Sequence, residues 1–148
     1  MLTNGLKIYF NKMRNNAIIP TYANPGDCCC DLYSTDNVTI KPGERKLIDT
    51  GISIELPEGF EAQIRPRSGL AWKHGITVLN SPGTIDEQYR NSIKVLLINH
   101  GTDVFTVTEG DRIAQMKFSP TYTGYFLESV GLSDTKRGMS GFGDSGMR

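Results

Sequence analysis

The chain has 148 residues, the length of one domain with room for a hydrophobic core. Sixteen basic and sixteen acidic residues give a formal net charge of zero, which argues against a nucleic-acid-binding surface and its usual basic excess. No apolar run approaches the roughly 20 residues that cross a membrane, and residues 1–7 lack the apolar core of a secretion signal. We therefore expect a cytoplasmic protein with neither a nucleic-acid nor a membrane partner.

Strand patterns dominate the chain up to residue 120. Apolar and polar residues alternate over Ile52–Leu56 and over Phe60–Ile64, which is typical of strands with one buried face. The run Val95–Ile98 lacks this alternation and is predicted to be a central strand buried on both faces. Turn signals recur at short spacing between these runs. Many short strands with regular turns indicate an all-β barrel or sandwich.

One segment, Ser68–His74, is predicted to be helical. Ser68 is placed to cap its start, and Gly75 is placed to end it. Free N–H groups at a helix start favour phosphate, and the preceding Arg67 adds a planar fork of donors. We therefore predict a phosphate site at Arg67, Ser68 and Gly69, with a capped surface helix beside a solvated arginine as the alternative.

Residues 79–94 combine features of a ligand-binding hairpin. Two strand-like runs, Ile76–Leu79 and Ile93–Ile98, flank a Pro-Gly turn followed by Asp86 and Tyr89. A wide hairpin leaves backbone N–H and C=O groups in need of partners, and the edge of a pyrimidine offers a matching donor and acceptor. We interpret the segment as a base-recognition hairpin that carries a catalytic carboxylate. A solvated loop with a stray acid is the alternative.

Two polar residues outside these segments are candidates for a metal-water shell. Asp31 follows a strand-like run, and Gln115 ends the segment Gly110–Gln115. Beside a triphosphate, Asp31 would hold water on Mg²⁺, an ion that keeps several waters and takes few carboxylates. Gln115 would orient such a water or touch phosphate. Taken alone, Asp31 is a turn former and Gln115 a polar residue of an edge strand.

Regular patterning ends at Pro120, so we divide the single domain into a core (residues 1–120) and an arm with a flexible tail (residues 121–148). Fully extended at about 3.3 Å per residue, the chain from Thr121 to Gly138 reaches roughly 60 Å, far enough to meet a neighbouring subunit. The tail combines a cation, an aromatic ring and glycines that permit close approach to phosphate. A frayed terminus is the ordinary alternative.

Five segments, taken together in this order, resemble the five motifs of the homotrimeric dUTPases, the deoxyuridine 5′-triphosphate nucleotidohydrolases. The resemblance covers essentially the whole chain. The segments are Gly26–Tyr33, Arg65–Ala71, Asn80–Lys94, Gly110–Gln115 and Arg137–Gly146. The resemblance implies a distorted jelly-roll β-barrel that forms a homotrimer with three sites at subunit interfaces. It also implies a hydrolase that uses magnesium to convert dUTP to dUMP and pyrophosphate, which lowers dUTP and supplies dUMP for thymidylate synthesis.

The resemblance assigns the hairpin to the nucleoside. Tyr89 would pack beneath the deoxyribose and leave no space for a 2′-hydroxyl. Asp86 would hold the 3′-hydroxyl and, as general base, orient the water that attacks the α-phosphorus. Uracil would be bound by backbone groups and one side-chain amide, at Gly83, Thr84, Ile85, Lys94 and Asn80.

The resemblance assigns the remaining motifs to the triphosphate. Arg67, Ser68 and Gly69 would grip the phosphates, while Asp31 and Gln115 would act on Mg²⁺ through water. The tail would close over the site of a neighbouring subunit. Its contacting residues would be Arg137 on the γ-phosphate, Phe142 stacked on uracil, and Gly143 and Ser145 beside the phosphates.

The chain departs from the family pattern at several positions. Three adjacent cysteines, Cys28, Cys29 and Cys30, stand where small residues usually precede the Asp. Strand alternation predicts Cys28 and Cys30 on one face and Cys29 on the other, which argues against a shared zinc ion and favours small buried side chains in a reduced protein. A redox role is a further alternative.

Three further departures lie in the hairpin and the tail. Asn91 and Ser92 stand where a glycine followed by a longer polar residue is more usual, and we expect the hairpin to survive because Asn tolerates left-handed dihedrals. Asp144 places a negative charge in the tail, and we expect its side chain to face solvent.

Two other functions are alternatives to dUTP hydrolysis. The first is a dCTP deaminase, which shares the fold. Its chemistry needs a Glu as the base, whereas this chain has Asp86 at that position. It also needs an Arg-Ser-Ser sequence, whereas this chain has Arg67-Ser68-Gly69. A nucleotide-dependent regulatory binding protein belongs to another class, and a phage origin would add a regulatory protein partner. The chain has no inserted segment between Ser92 and Arg112 that would form a dedicated docking surface.

Overall fold

The computed structural model describes residues 5–144, and this range is built almost entirely of antiparallel strands. The strands are β1 (Tyr9–Lys12), β2 (Cys30–Tyr33), β3 (Val38–Ile40), β4 (Arg45–Asp49), β5 (Ile52–Glu55), β6 (Phe60–Arg65), β7 (Ile76–Val78), β8 (Gly83–Ile85), β9 (Lys94–Asn99), β10 (Phe105–Val107) and β11 (Arg112–Pro120). The single helix of the described range is α1 (Ser68–His74).

The strands form four antiparallel sheets around one core. The largest sheet has the order β2-β11-β6-β8, and a three-stranded sheet has the order β4-β9-β7. Two further pairs, β1-β5 and β3-β10, close the remaining sides. Most neighbours in these sheets are distant in sequence, as expected for crossing connections in a jelly roll. The predicted all-β fold with one short helix is confirmed.

The alternating runs face the core as predicted. Ile52, Ile54 and Leu56 are buried, and so are Ala62 and Ile64 on β6. Removing such apolar side chains from water contributes about 25 cal/mol per Å², and this term is the main stabilisation of the barrel.

The prediction for Val95–Ile98 is only half right. β9 lies at the centre of its sheet, with Val95 and Leu97 fully buried. Leu96 and Ile98 are only partly buried, so the strand keeps an alternating pattern in one chain. The continuous apolar run therefore predicted the central position of the strand correctly, but it did not predict the burial of its two faces.

The helix has the predicted bounds, but its N-cap residue differs from the predicted one. Arg67, not Ser68, is the N-cap residue, with an extended backbone and no side-chain cap bond. The capping prediction is wrong because Ser68 already lies in the first turn. Gly75 ends the helix in the left-handed conformation (φ 67°), and its N–H donates to the carbonyl oxygen of Ala71 at 3.0 Å. A Cβ at this position would lie 2.5 Å from the backbone N of Gly101, so only glycine fits.

β11 ends at Pro120, and residues 121–144 contain neither helix nor strand. The division into a core and an arm within one domain stays a prediction. Within residues 5–144, no helix combines the length and the apolar character that crossing a membrane requires.

Candidate active site

Strand register brings three of the predicted motifs to one end of the largest sheet. Gln115 on β11 pairs with Asp31 on β2 and also with Arg65 on β6. Directly after Arg65 the chain leaves the sheet through Pro66 and Arg67 and enters α1. We call this end of the sheet, with Asp31, Arg67–Gly69 and Gln115, the phosphate corner.

Asp31 lies between two guanidinium groups. One carboxylate oxygen is 3.2 Å from Nε of Arg67, and the other is 3.2 Å from a terminal nitrogen of Arg112. Arg67 also donates to the backbone carbonyl of Arg112 at 3.1 Å. The Asp31 side chain is only 12% exposed, so these cations offset its charge in a partly desolvated setting. Arg112 was not among the predicted site residues, although it lies inside the fourth motif.

Gln115 is fixed by one hydrogen bond. Its amide nitrogen donates to the carbonyl oxygen of Pro66 at 2.8 Å, across the gap between β11 and the start of α1. The side-chain carbonyl oxygen is then the atom that remains for a water or a ligand. This geometry suits the predicted role of Gln115 in orienting water.

The phosphate corner encloses a cavity of about 270 Å³ that is open to solvent. Its lining is mostly polar and includes two cations, Arg67 and Arg112, and two carboxylates, Asp31 and Asp27, the second of which accepts from the backbone N–H of Asn24 at 2.8 Å. The site residues that line it are Asp31, Arg67, Ser68, Gly69, Arg112 and Gln115. The guanidinium and hydroxyl donors of this lining suit an anionic ligand such as a chain of phosphates.

Magnesium fits this corner only through water. Residues 5–144 contain no group of three or more His, Cys, Asp or Glu side chains that would hold a metal ion directly. Mg²⁺ needs no such group, because it keeps several waters and is often bound through one or two carboxylates and the phosphates of a substrate. One carboxylate, Asp31, beside the amide of Gln115 is compatible with that mode of binding.

The predicted wide hairpin is present, and its middle part joins the other sheet. β7 and β9 pair with each other, with Ile76 opposite Asn99 and Val78 opposite Leu97. Between them, Gly83–Ile85 form β8 at the edge of the largest sheet, paired only with β6. An edge strand presents a row of backbone donors and acceptors without a strand partner. The groups predicted to read a base therefore lie on an edge where a ligand can pair with them.

Gly83 is required for close approach within this hairpin. A Cβ on Gly83 would lie 3.2 Å from Cβ of Ile64 and 3.4 Å from the amide nitrogen of Asn80. The lack of a side chain lets β8 pack against β6 while Asn80 stays beside the edge. Lys94 opens β9 at the other end of the hairpin and is exposed.

Asp86 and Tyr89 lie on one turn directly after β8. The backbone N–H of Tyr89 donates to the carbonyl oxygen of Asp86 at 3.0 Å, and the Tyr89 hydroxyl donates to the carbonyl oxygen of Ser92 at 3.0 Å. Asp86 is exposed and Tyr89 is 37% exposed. Both side chains are therefore accessible to a ligand bound along the edge of β8.

One chain does not bring Asp86 to the phosphate corner, although β8 begins beside it with Gly83 opposite Ile64. Ile85 pairs with Ala62, three residues before Arg65, a separation of roughly 10 Å along β6. Asp86 continues further from the corner, and the cavity is lined by no hairpin residue. The two half-sites, the hairpin and the phosphate corner, therefore diverge along β6: Gly83 lies opposite Ile64, next to Arg65 and the phosphate corner, whereas Ile85 and Asp86 lie towards the other end.

The described part of the tail contacts neither half-site through hydrogen bonds. Arg137, Phe142 and Gly143 are exposed, and Nε of Arg137 donates to the carbonyl oxygen of Ser140 at 3.0 Å. From residue 122 to residue 144, every hydrogen bond joins two tail residues. Asp144 is exposed, as expected. Ser145 lies outside the described residues.

Comparison with protein-family models matches residues 15–146 to the dUTPase family. The chain belongs to this family. It is 56% identical to the deoxyuridine 5′-triphosphate nucleotidohydrolase of Clostridium novyi, covering 96% of this chain and 100% of the relative. The enzyme of the same name from Crocosphaera subtropica is 57% identical, with the same coverage of both chains.

Solved structures of phage dUTPases share the fold. The dUTPase of Staphylococcus bacteriophage 80alpha with dUpNHpp superposes with a TM-score of 0.89 at 23% identity, covering 98% of this chain and 100% of that chain. A mutant dUTPase from phage phi11 of S. aureus, described with a structural Mg(II) ion, has a TM-score of 0.79 at 20% identity, covering 84% and 97%. At these identities the likeness concerns the fold alone.

A second network, not predicted from the sequence, anchors the hairpin of this dUTPase-family chain. The Ser92 hydroxyl donates to the carboxylate of Asp49, which also accepts the N–H of Gly51 at 2.8 Å and lies 3.3 Å from Arg14. Burial pushes the pKa of Asp49 upward, but the hydrogen bonds from Ser92 and Gly51 and the charge of Arg14 outweigh it, so the pKa lies below its ordinary value. Because the Ser92 carbonyl accepts from Tyr89, this network supports the predicted sugar-binding ring.

The three adjacent cysteines differ in their exposure to solvent. Cys30 is buried on β2, its thiol is 3.5 Å from the carbonyl oxygen of Met116, and burial raises its pKa to about 11. Cys28 is exposed and Cys29 partly buried, with their sulfur atoms 4.0 Å apart. The predicted alternation is wrong, because β2 begins only at Cys30 and the two preceding cysteines lie in a bend. The small buried side chain predicted for all three holds for Cys30 alone.

Proposed function

We propose that this chain hydrolyses dUTP to dUMP and pyrophosphate as a dUTP diphosphatase. The observation that carries the proposal is the largest sheet, which holds a cavity with paired cations at one end and an edge strand followed by Asp86 further along. Relatives at 56–57% identity over nearly the whole chain are named deoxyuridine 5′-triphosphate nucleotidohydrolases. The enzyme would act in nucleotide metabolism, in the biosynthesis of dUMP.

The separation of the two half-sites supports a homotrimer with shared sites. In one chain β8 runs away from the phosphate corner along β6, so that Ile85 lies roughly 10 Å along the strand from Arg65 and Asp86 follows beyond it. A closed ring of three chains would place the hairpin of one subunit against the phosphate corner of the next. The exposed tail would then close over the site of a neighbouring subunit, with Phe142 on the base and Arg137 on the γ-phosphate. Gly143 and Ser145 would contribute the close backbone and hydroxyl contacts.

Mixing two inactive variants tests the shared site. Arg67→Ala damages only the phosphate corner, and Asp86→Asn damages only the hairpin. If each site uses one half from each of two subunits, co-refolded mixtures regain activity, because about one quarter of the sites are intact in a random equal mixture. Mixtures that stay as inactive as the separate variants would show that each chain builds its own site.

Base selection follows from the free edge of β8. Backbone groups at Gly83, Thr84 and Ile85 would pair with the acceptor and donor on the edge of uracil, and Asn80 would assist. Cytosine places a donor where uracil has its O4 acceptor, so an N–H would face another N–H. A buried unpaired polar group costs about 1–3 kcal/mol, and sites of this kind reject analogues by roughly 10⁴-fold. Thymine would be refused because its methyl group has no room in the tight hairpin.

The remaining hairpin residues would select the sugar. Tyr89 would lie beneath the deoxyribose, where its ring leaves no space for a 2′-hydroxyl. Asp86 would accept a hydrogen bond from the 3′-hydroxyl. The hydrogen bond from Tyr89 to the Ser92 carbonyl supports this, because it fixes the ring plane.

In the chemical step Asp86 acts as general base on a bound water. The water oxygen forms a bond to the α-phosphorus, its proton passes to the Asp86 carboxylate, and the bond to the bridging oxygen of the β-phosphate breaks to release pyrophosphate. Arg67, Ser68 and Gly69 hold the phosphates, so positioning and electrostatics supply most of the acceleration. When bound through water by Asp31 and Gln115, Mg²⁺ would spread the charge of the phosphates.

We propose a cytoplasmic location for the enzyme. Cys28, Cys29 and Cys30 are all free thiols, which suits a reducing compartment. The deaminase alternative is not retained, because the family and the named relatives are nucleotidohydrolases. The regulatory partner stays a prediction.

Hydrolysis in ¹⁸O-labelled water tests the proposed reaction. Attack on the α-phosphorus places the label in dUMP, and mass spectrometry of the products reads its position. The same incubation with Asp86→Asn serves as the control for enzyme-dependent labelling. Label in pyrophosphate would contradict the mechanism, and absence of dUMP would contradict the function itself.

A further inference from the structure

Two thiols lie side by side at the mouth of the phosphate corner. Cys28 and Cys29 line the same cavity as Asp31 and Arg67, and their sulfur atoms are 4.0 Å apart. Cys28 is exposed and Cys29 is partly buried, so the pair is open to a small reagent from the cavity side. Nothing in the reaction proposed above uses either sulfur.

We propose that Cys28 and Cys29 form a dithiol site for thiophilic trivalent arsenicals, and that occupation of this site blocks the phosphate corner. An organic arsenic(III) dihydroxide reacts with both thiols: two As–S bonds form, two As–O bonds break, and two waters leave with the thiol protons. Arsenic keeps its oxidation state and its organic group, so the step needs no oxidant.

Backbone geometry favours a bridged pair over a direct disulfide. Adjacent Cα atoms are 3.80 Å apart across a trans peptide, which is below the usual 4.4–6.8 Å of disulfides. A direct bond would also draw the sulfurs from 4.0 Å to about 2.05 Å and strain the turn before β2. An atom inserted between the sulfurs requires less convergence, so the pair suits a bridging centre.

The ligand count argues against zinc at the same place. Structural zinc takes four ligands, and residues 5–144 offer no cluster of three or more His, Cys, Asp or Glu side chains that would hold a metal. A trivalent arsenical supplies its own third substituent and needs only the two sulfurs. The chemistry of the pair therefore points to arsenic(III) rather than to zinc.

An arsenical bound to Cys28 and Cys29 would hinder phosphate binding, because it would lie in the same cavity. A bound arsenical would place its organic group in a cavity of about 270 Å³ that also contains Arg67 and Ser68. Cys29 is two residues from Asp31, so the rigid ring would also constrain the start of β2. This consequence for turnover rests on the proposed dUTP hydrolysis, whereas the dithiol chemistry does not.

Intact-protein mass spectrometry with phenylarsine oxide tests the chemistry. We expect one phenylarsenic group per chain with loss of two free thiols, stable to excess glutathione and removed by the dithiol 2,3-dimercaptopropanol. Cys28→Ser and Cys29→Ser should each lose the glutathione-stable adduct. Cys30→Ala is the matched control and should keep it, because Cys30 is buried on β2. An adduct that survives in Cys28→Ser or Cys29→Ser, or no stable adduct in the unaltered chain, would overturn the proposal.

Turnover measured on the same samples tests the blocking effect. Stoichiometric phenylarsine oxide should lower pyrophosphate release from dUTP at least tenfold in the unaltered chain and in Cys30→Ala, with recovery after 2,3-dimercaptopropanol. Each serine variant, compared with its own untreated sample, should resist. A bridged adduct with full turnover would refute the blocking role. A chain that forms the adduct but never hydrolyses dUTP would instead refute the proposed function and leave the dithiol site standing.

Discussion

At the scale of single residues, Asp86 carries the chemistry that we propose. It is exposed at the end of the edge strand β8, one turn from Tyr89. Asp86→Asn keeps the size of the side chain but removes the base, so kcat should fall by about 10²–10⁴-fold. Binding of a non-hydrolysable dUTP analogue, measured by calorimetry, should change little.

Asp103→Asn is the matched control, because it alters an exposed acid in a loop outside both half-sites. It should leave kcat unchanged. Near-normal turnover by Asp86→Asn would exclude this residue as the base.

Asp49 gives a prediction about pH. Its folded-state pKa lies below the ordinary 3.8, since the hydrogen bonds and the cation outweigh the effect of burial. A depressed pKa contributes stability above the unfolded pKa, and this contribution disappears as pH falls through the folded value. Asp49→Asn should therefore lower the free energy of unfolding by about 1–2 kcal/mol at pH 7. The difference from the unaltered chain should shrink as the pH falls from about 4.

Urea unfolding at pH 7 and pH 3 measures this difference. Ser92→Ala removes one of the same hydrogen bonds and should show a smaller loss at pH 7. A penalty for Asp49→Asn that is equal at both pH values would contradict the proposed role of its charge.

At the scale of elements, the hairpin depends on Gly83. A methyl group there would lie 3.2 Å from Cβ of Ile64, so β8 must shift outward by a few tenths of an ångström. Because the backbone of β8 is proposed to read uracil, Gly83→Ala should raise KM for dUTP about tenfold or more, with a smaller effect on kcat. Steady-state kinetics measures both constants.

Gly124→Ala is the control for a glycine replaced in open space, since nothing lies within 4 Å of a Cβ at that position and it belongs to neither half-site. Thermal unfolding checks that Gly83→Ala stays folded. A folded Gly83→Ala enzyme with an unchanged KM would mean that the base is read elsewhere.

Elements with a strong local signal were predictable from the sequence. The bounds of α1 followed from its helical pattern and from Gly75, and the wide hairpin followed from its turn residues. The N-cap of α1 was mispredicted, because a serine one residue inside the helix has the same local sequence signal as a cap. The alternation of faces predicted for Cys28–Cys30 was wrong, because Cys28 and Cys29 lie in the bend before β2 and not in a strand.

Contacts between segments that are distant in the chain could not be predicted from the sequence. Arg112 meets Asp31 only because β11 pairs with β2, and the link from Ser92 to Asp49 joins residues 43 apart. The grouping of Asp31, Arg67 and Gln115 rested on the family resemblance rather than on local patterns. The separation of Asp86 from the phosphate corner in one chain emerged only from the register of β6 with β8.

At the scale of the whole molecule, the tail should matter for turnover but not for folding. The described tail makes no regular structure, and from residue 122 to residue 144 its hydrogen bonds are internal. Truncation after Lys136 should keep the chain folded and the proposed trimer assembled yet remove most activity, because Arg137 and Phe142 would no longer close the site. Sedimentation gives the assembly state, and pyrophosphate release gives the activity.

Arg137→Ala in the full-length chain isolates the cation from the rest of the tail. It should weaken dUTP binding more than dUMP binding, since only the triphosphate has a γ-phosphate. A truncated enzyme with full activity would show that the tail assignment is wrong.

The most direct test of the central claim is pyrophosphate release from dUTP, dCTP, dTTP and UTP, compared through kcat/KM under identical conditions. If the edge of β8 reads uracil and Tyr89 reads the sugar, dUTP should exceed each of the others by roughly 10³-fold or more. Similar rates for all four nucleotides, or ammonia released from dCTP, would contradict the account.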